Sequence, residues 1–318
     1  MPSASPTVAV LDIGSNSIKI LIARRDATTG LPVAEKYKTL DARISAGISK
    51  TNPRLTEESM TRGLAAIQEL LADAAPFAPF ETILVATSAV RDAANGPDFR
   101  QRVLAATGHA IRILSGDEEA NLIGRGLTCD PALAELRDFY VFDLGGGSLE
   151  CLAFRDRRIA QAASLQLGCV RLTEKFVADP SQPLSPDALA RITAHTRGTL
   201  AQASFRFDLP PGSVAIGTGG TVTNARVALG LRSGRQLADT DPFVSNNQLR
   251  DLLAFTAGLP LPERRQIPGL PPARADVFPT ALATLLAVTG HAALPGLHNS
   301  LYNLRWGLAA EILAPAPR

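Results

Sequence analysis

Two stretches decide the fold. The first reads Val8-Ala-Val-Leu-Asp12-Ile-Gly14-Ser-Asn-Ser17-Ile-Lys-Ile-Leu-Ile-Ala, and the second reads Phe139-Tyr-Val-Phe-Asp143-Leu-Gly145-Gly-Gly-Ser148-Leu-Glu-Cys-Leu-Ala-Phe. Each is an apolar strand, then Asp, Gly two residues on, Ser five residues on, and a second apolar run. That is the pattern of a β-hairpin with a polar, glycine-bearing turn. The aspartates stand 131 residues apart in a chain of 318, so the repeat predicts two similar lobes rather than one doubly wound sheet. Roughly 100–200 residues make one domain, which agrees.

Working outward, Thr56 with Glu57 and Glu58 predicts a helix start, and Met60, Leu64, Ile67 and Leu71 continue it at helical spacing. Residues 82–87 read as a buried strand ending in a polar loop, Ser88 to Asp92, and 110–114 as another strand. Ser115-Gly-Asp-Glu118 fits a capping box opening a helix toward Leu127. Ser185-Pro186-Asp187 opens a further helix. Val214 to Ile216 is a strand running into Gly217-Thr-Gly-Gly-Thr221 and then a helix; 258–272 read as loops, and Leu301 to Leu313 as the last helix. The lobe boundary is expected between 125 and 137. We divide the chain as 1–128 and 129–318, the last helix, about 301–313, being a candidate to pack back on the first lobe.

Composition narrows the function. Net charge is only +2, which argues against nucleic acid as a partner. Cys129, Cys151 and Cys169 have no CxxC spacing and support neither a disulfide framework nor a zinc site. The four histidines show no ligand or triad spacing. Met1 to Pro6 has no basic and apolar leader pattern, and the run Ala281 to Val288 is too short to span a bilayer; both point to the cytoplasm and away from the membrane.

Three loops share one physical logic: 14–17, 145–148 and 217–221 each follow an apolar strand and consist mostly of Gly, Ser, Thr or Asn. Glycine lets backbone N–H groups approach an anion without a Cβ in the way. A tight turn explains one such loop as well; two in identical register and a third after a strand point to phosphate. Asp12 and Asp143 at the strand ends would repel phosphate unless a cation such as magnesium intervened; alternatively each caps its own turn. For Asp143 the metal or its water shell is the better reading, and Glu150 leaves the loop toward the same shell. Glu118 has the capping box to serve. Glu119 is free of that role, and either complements the helix dipole or accepts a proton from attacking water. Arg91 is a surface arginine or a clamp on phosphate oxygens.

Together these residues resemble the exopolyphosphatase / guanosine pentaphosphate phosphohydrolase family, a branch of the actin-like, sugar-kinase-like, Hsp70-like ATPase fold. The similarity lies in Asp12 to Ser17, Thr87 to Ala93, Leu114 to Ala120, Phe142 to Glu150, Ser164 to Glu174, Gly217 to Thr221 and Arg274 to Asp276, in family order from position 8 to about 308. The resemblance implies an α/β protein of two actin-like (ribonuclease H-like) lobes, each a mixed sheet flanked by helices, with the active site in the interlobe cleft. It implies that Glu119 is the catalytic base and that Asp143 and Glu150, with Asp12 beside them, work with Mg2+ or another divalent cation. It makes Gly14, Ser15, Asn16, Ser17, Gly145, Gly146, Gly147, Ser148, Gly217, Thr218, Gly219, Gly220 and Thr221 the phosphate cradle, with Arg91 next to it.

The substrate implied is inorganic polyphosphate, of short chains because the chain resembles the short, two-domain members. Guanosine pentaphosphate is the alternative, with an ATP-dependent kinase or a non-catalytic sensor further off. A homodimer is admitted by the resemblance. Two departures stand out: Leu304-Arg-Trp306-Gly where relatives usually carry Leu-Arg-Glu-Gly, and no glycine after Thr280.

Overall fold

Both hairpins form in the computed structural model, which describes residues 6–45 and 47–314. The stretch read for a leader, apart from Pro6, and the tail after Ala314 lie outside those residues. The first hairpin is β1 (Thr7–Ile13) with β2 (Ile18–Arg25), extended by β3 (Pro32–Leu40). Helix α1 (Glu57–Ala74) starts at Thr56, whose side chain accepts from the Ser59 N–H. Next come β4 (Glu81–Ala86), α2 (Ser88–Asp92), α3 (Gly96–Thr107), β5 (Ile111–Ile113) and α4 (Gly116–Thr128).

The strand order in this sheet is β3-β2-β1-β4-β5, antiparallel across the first three and parallel from β1 outward. β1 is covered on both faces and therefore reads as a continuous apolar run. β3, at the edge, alternates instead. Its Lys36 and Lys38 reach Asp73 of α1 at 2.6 and 2.7 Å, and edge lysines of this kind discourage pairing with another chain.

The second hairpin is β6 (Phe139–Leu144) with β7 (Leu149–Arg155), extended by β8 (Arg158–Leu165). It is followed by α5 (Cys169–Phe176), α6 (Pro186–Gln202), β9 (Val214–Thr218), α7 (Gly220–Arg232), β10 (Phe243–Ser245), α8 (Asn246–Ala257), α9 (Leu261–Arg264), α10 (Phe278–His291) and β11 (Gly296–Asn299). The order β10-β11-β9-β6-β7-β8 repeats the first sheet with one antiparallel strand added at the edge. The chain is thus mixed α/β, with two mixed sheets of the same ribonuclease H-like topology, each flanked by helices. The apolar run 281–288 lies in α10, which is buried almost all round against α6 and α8. Among the described residues no helix is long and apolar enough to cross a membrane.

The chain divides into two compact units: residues up to Ala134 together with those from Tyr302 onward, and Glu135–Leu301. This differs from a cut at 128/129. α4 runs on into a turn, Pro131–Leu133, capped by Asp130, so the first unit continues to that point. Helix α11 (Leu304–Leu313) belongs to the first unit, where it packs on β1, β2 and α4. Two local readings need correction. The expected polar loop 88–92 is the helical turn α2, and the loop region 258–272 contains α9. In the second case Arg264 is wholly buried and donates to the carbonyls of Pro180, Gln182 and Ala275. That network winds the chain where proline and glycine suggested only a loop.

Candidate functional site

In the first unit the turn 14–17 is held from behind. The Gly14 N–H donates to the Ser17 carbonyl at 3.1 Å, so Gly14 shapes the turn and its own donor is spent. The Ser15 and Asn16 carbonyls accept from the N–H groups of Ser45 and Arg43 at 3.3 and 2.9 Å. With the carbonyls tied down, the N–H groups of Ser15 and Asn16 find no acceptor among the described residues. The Ser15 and Ser88 hydroxyls meet at 3.0 Å, and the buried Asn16 Oδ1 has no hydrogen-bond partner among the described residues. Asp12 pairs across the hairpin with Lys19, whose Nζ is 3.9 Å from its Oδ2.

The same unit carries the carboxylate singled out as a base. Glu119 sits in the first turn of α4 and is buried, at 7% exposure. Arg91 Nη1 donates to Glu119 Oε2 at 2.9 Å and to the Leu114 carbonyl at 3.0 Å. Arg91 therefore holds the base candidate in place, a role that spacing did not suggest.

Glu118 serves the capping box as expected. Its Oε2 accepts from the Ser115 N–H and its Oε1 from Arg112, and these bonds, Arg112 first, draw its carboxyl down to about 2. A depressed carboxylate contributes stability above its unfolded pKa near 4.5 and loses it as pH falls through about 2. Glu118→Gln is expected to cost about 1 kcal/mol at neutral pH, solvent exposure keeping it small. In urea titrations that difference should vanish near pH 2.

In the second unit Asp143 and Glu150 stand directly opposite each other on the β6–β7 ladder. Like charges so placed repel at Cβ separations of about 5 Å, unless a cation lies between them. Glu150 is buried, at 2% exposure, and its Oε1 accepts from Ser164 Oγ at 2.8 Å. A Cβ on Gly219 (φ +82) would lie 2.2 Å from Asp143 Oδ1, and one on Gly220 would lie 2.0 Å from Arg274 Nη1. Only glycine at both positions lets a carboxylate and a guanidinium sit against the backbone at the start of α7. That helix begins without a side-chain cap, which leaves its first N–H groups for an anion.

Two members of the expected cradle stand in a strand. Gly217 and Thr218 lie inside β9, paired with Phe142 and Asp143, and a Cβ on Gly217 would strike Val222 at 2.8 Å. Gly219, Gly220 and Thr221 stand at the helix start. Asp12 faces Lys19 across its hairpin, where the second hairpin sets Glu150 opposite Asp143. Lys19 and Arg274 were missed, and Lys19 was legible: it occupies, within the repeat, the place of Glu150. Thr280 is buried in α10, and Trp306 lies in α11 with its ring 4.2 Å from that of Tyr302.

The model of the Ppx/GppA phosphatase family matches residues 21–315. The chain belongs to the Ppx/GppA phosphatase family. Solved structures agree with a Ppx/GppA fold. An exopolyphosphatase from Cytophaga hutchinsonii ATCC 33406 is 23% identical, with 96% of this chain and 97% of that one covered and a TM-score of 0.84. The Ppx/GppA family member of Aquifex aeolicus is 21% identical, with 97% of each chain covered and a TM-score of 0.75. An exopolyphosphatase-like protein is 24% identical, covering 96% of this chain and 97% of that one, with a TM-score of 0.87. Membership supports phosphatase activity on phosphoanhydrides.

Proposed function

We propose that this chain is an exopolyphosphatase, removing the terminal phosphate of inorganic polyphosphate, short chains in preference, as orthophosphate. The observation that carries the reading is Glu119. It is a buried carboxylate in the first turn of α4, relieved of capping by Glu118 and steadied by the Arg91 guanidinium. A carboxylate so placed suits proton acceptance from water.

In this reading the oxygen of water attacks the terminal phosphorus as its proton passes to Glu119. The bond to the bridging oxygen breaks, and the shortened chain leaves with the electron pair. Each unit brings its own groups suited to phosphoryl oxygens: the uncommitted turn N–H groups of Ser15 and Asn16 in the first, and those of 146–148 with the start of α7, where Arg274 lies, in the second. Catalysis is then mainly positioning and electrostatic stabilisation.

The opposed pair Asp143 and Glu150 fits a divalent cation, and magnesium there would neutralise charge on the bridging oxygens. Two carboxylates would suffice to hold magnesium, a hard cation that keeps much of its water shell. Asp12 is matched by Lys19, and we assign it no metal.

The test is phosphate release by the purified protein with magnesium, on short polyphosphate, long polyphosphate and guanosine pentaphosphate side by side. Short polyphosphate should turn over fastest; EDTA should abolish release, and added magnesium should restore it. Faster release from guanosine pentaphosphate would move the assignment to that substrate. Tight binding of all three without release would make the protein a sensor.

A further inference from the structure

The turn 145–148 is backed by a helix, whereas its counterpart in the first unit is backed by the irregular segment 43–45. The N–H groups of Cys169 and Val170 donate to the carbonyls of Gly145 and Gly146 at 3.0 and 2.9 Å, and the Arg171 N–H reaches the Gly146 carbonyl at 3.1 Å. Arg171 Nε donates to the Gly147 carbonyl at 2.9 Å, from a side chain buried to 9% exposure. The approach is close enough to require glycine at 168, where a Cβ would lie 2.2 Å from the Gly147 carbonyl carbon.

Each captured carbonyl shares a peptide unit with the next N–H. The Gly145, Gly146 and Gly147 carbonyls belong to the peptides that bear the N–H groups of Gly146, Gly147 and Ser148. None of those three N–H groups has an acceptor among the described residues. A peptide whose carbonyl is held by a cation or a helix start has its N–H turned away from that partner and polarised toward stronger donation. The first turn of a helix carries a partial charge of about +0.5, and Arg171 adds a full charge in the same place.

We propose that α5 and Arg171 bind the substrate's phosphate indirectly, by relay through these three peptides, and that Arg171 is the positioning residue of the turn. The inference rests on the reading of the turn as a phosphate cradle. It accounts for the stretch Ser164 to Glu174 as a backing plate: Ser164 holds Glu150, Gly168 allows the approach, and 169–171 set the turn.

The test titrates inorganic phosphate into the 15N-labelled full chain and follows the amides of Gly146, Gly147 and Ser148. All three should move together on binding. Arg171→Gln, which keeps a donor but no charge, and Arg171→Met, which keeps neither, should shift the Ser148 amide proton upfield in the free protein. They should also weaken phosphate about tenfold and raise KM for polyphosphate with little change in kcat. Arg171→Lys should restore most of the affinity.

Phosphate that binds the wild-type protein while leaving the three amides unmoved overturns the relay, without needing any variant to fold. So does a folded Arg171→Gln protein with unchanged Ser148 shift and unchanged affinity, since Arg171 is then a brace alone. If the wild-type chain binds no phosphate at all, the cradle reading itself fails, which is a distinguishable result.

Discussion

Glu119→Gln is expected to lose about 10²–10⁴-fold in turnover while leaving polyphosphate affinity nearly unchanged. The substitution is close to isosteric. A glutamine carbonyl can still accept from Arg91 Nη1, so the first turn of α4 should keep its shape. What is lost is proton acceptance. Stopped-time phosphate release gives the rate, and competition with inorganic phosphate gives the affinity. Glu118→Gln is the internal control, since Glu118 is half-exposed and engaged with Ser115 and Arg112. Two adjacent carboxylates should thus differ by orders of magnitude in turnover, and near-normal release by Glu119→Gln would remove the base from the mechanism. Arg91→Met should sit between them, because it frees the carboxylate without deleting it.

The largest effect on stability is expected where α4 crosses α11. A Cβ on Gly126 would lie 2.0 Å from the Asn303 carbonyl oxygen, and one on Gly307 would lie 1.9 Å from the Leu122 carbonyl oxygen. Both obstacles are backbone, so neither can swing aside as a side chain would. Gly307→Ala or Gly126→Ala must push the helices apart, at a cost of about 3 kcal/mol or more. Calorimetry should show the first unit's transition fall by roughly 10 °C. Because α4 carries Glu119 three residues before Leu122, turnover should fall as well in whatever protein still folds. A pair of alanine variants with unchanged Tm would show that the helices do not touch as described.

Much of this was legible because it is local. The two hairpins follow from alternation, a glycine and a serine at fixed offsets, and the repeat of that pattern foretells two alike sheets. Caps are as local: Thr56, Ser115 and Ser185 each accept from the N–H three residues on. The separation of Glu118 from Glu119 was available for the same reason, since a capping box uses one of two neighbouring acids and leaves the other.

Other features turn on long-range contact. Whether Gly217 cradles phosphate or packs depends on Val222 lying 2.8 Å from where its Cβ would be, and the composition of a glycine run is the same in both cases.

By itself the sequence determined the fold class and the duplicated hairpin with its turn, because strand period, turn geometry and helix capping act over a few residues. Tertiary structure alone decided the rest. Arg91 holds Glu119 across 28 positions, Arg171 holds Gly147 across 24, and α11 returns to pack on α4. Such pairings depend on which distant groups come together once the sheets have formed, and no local pattern records that.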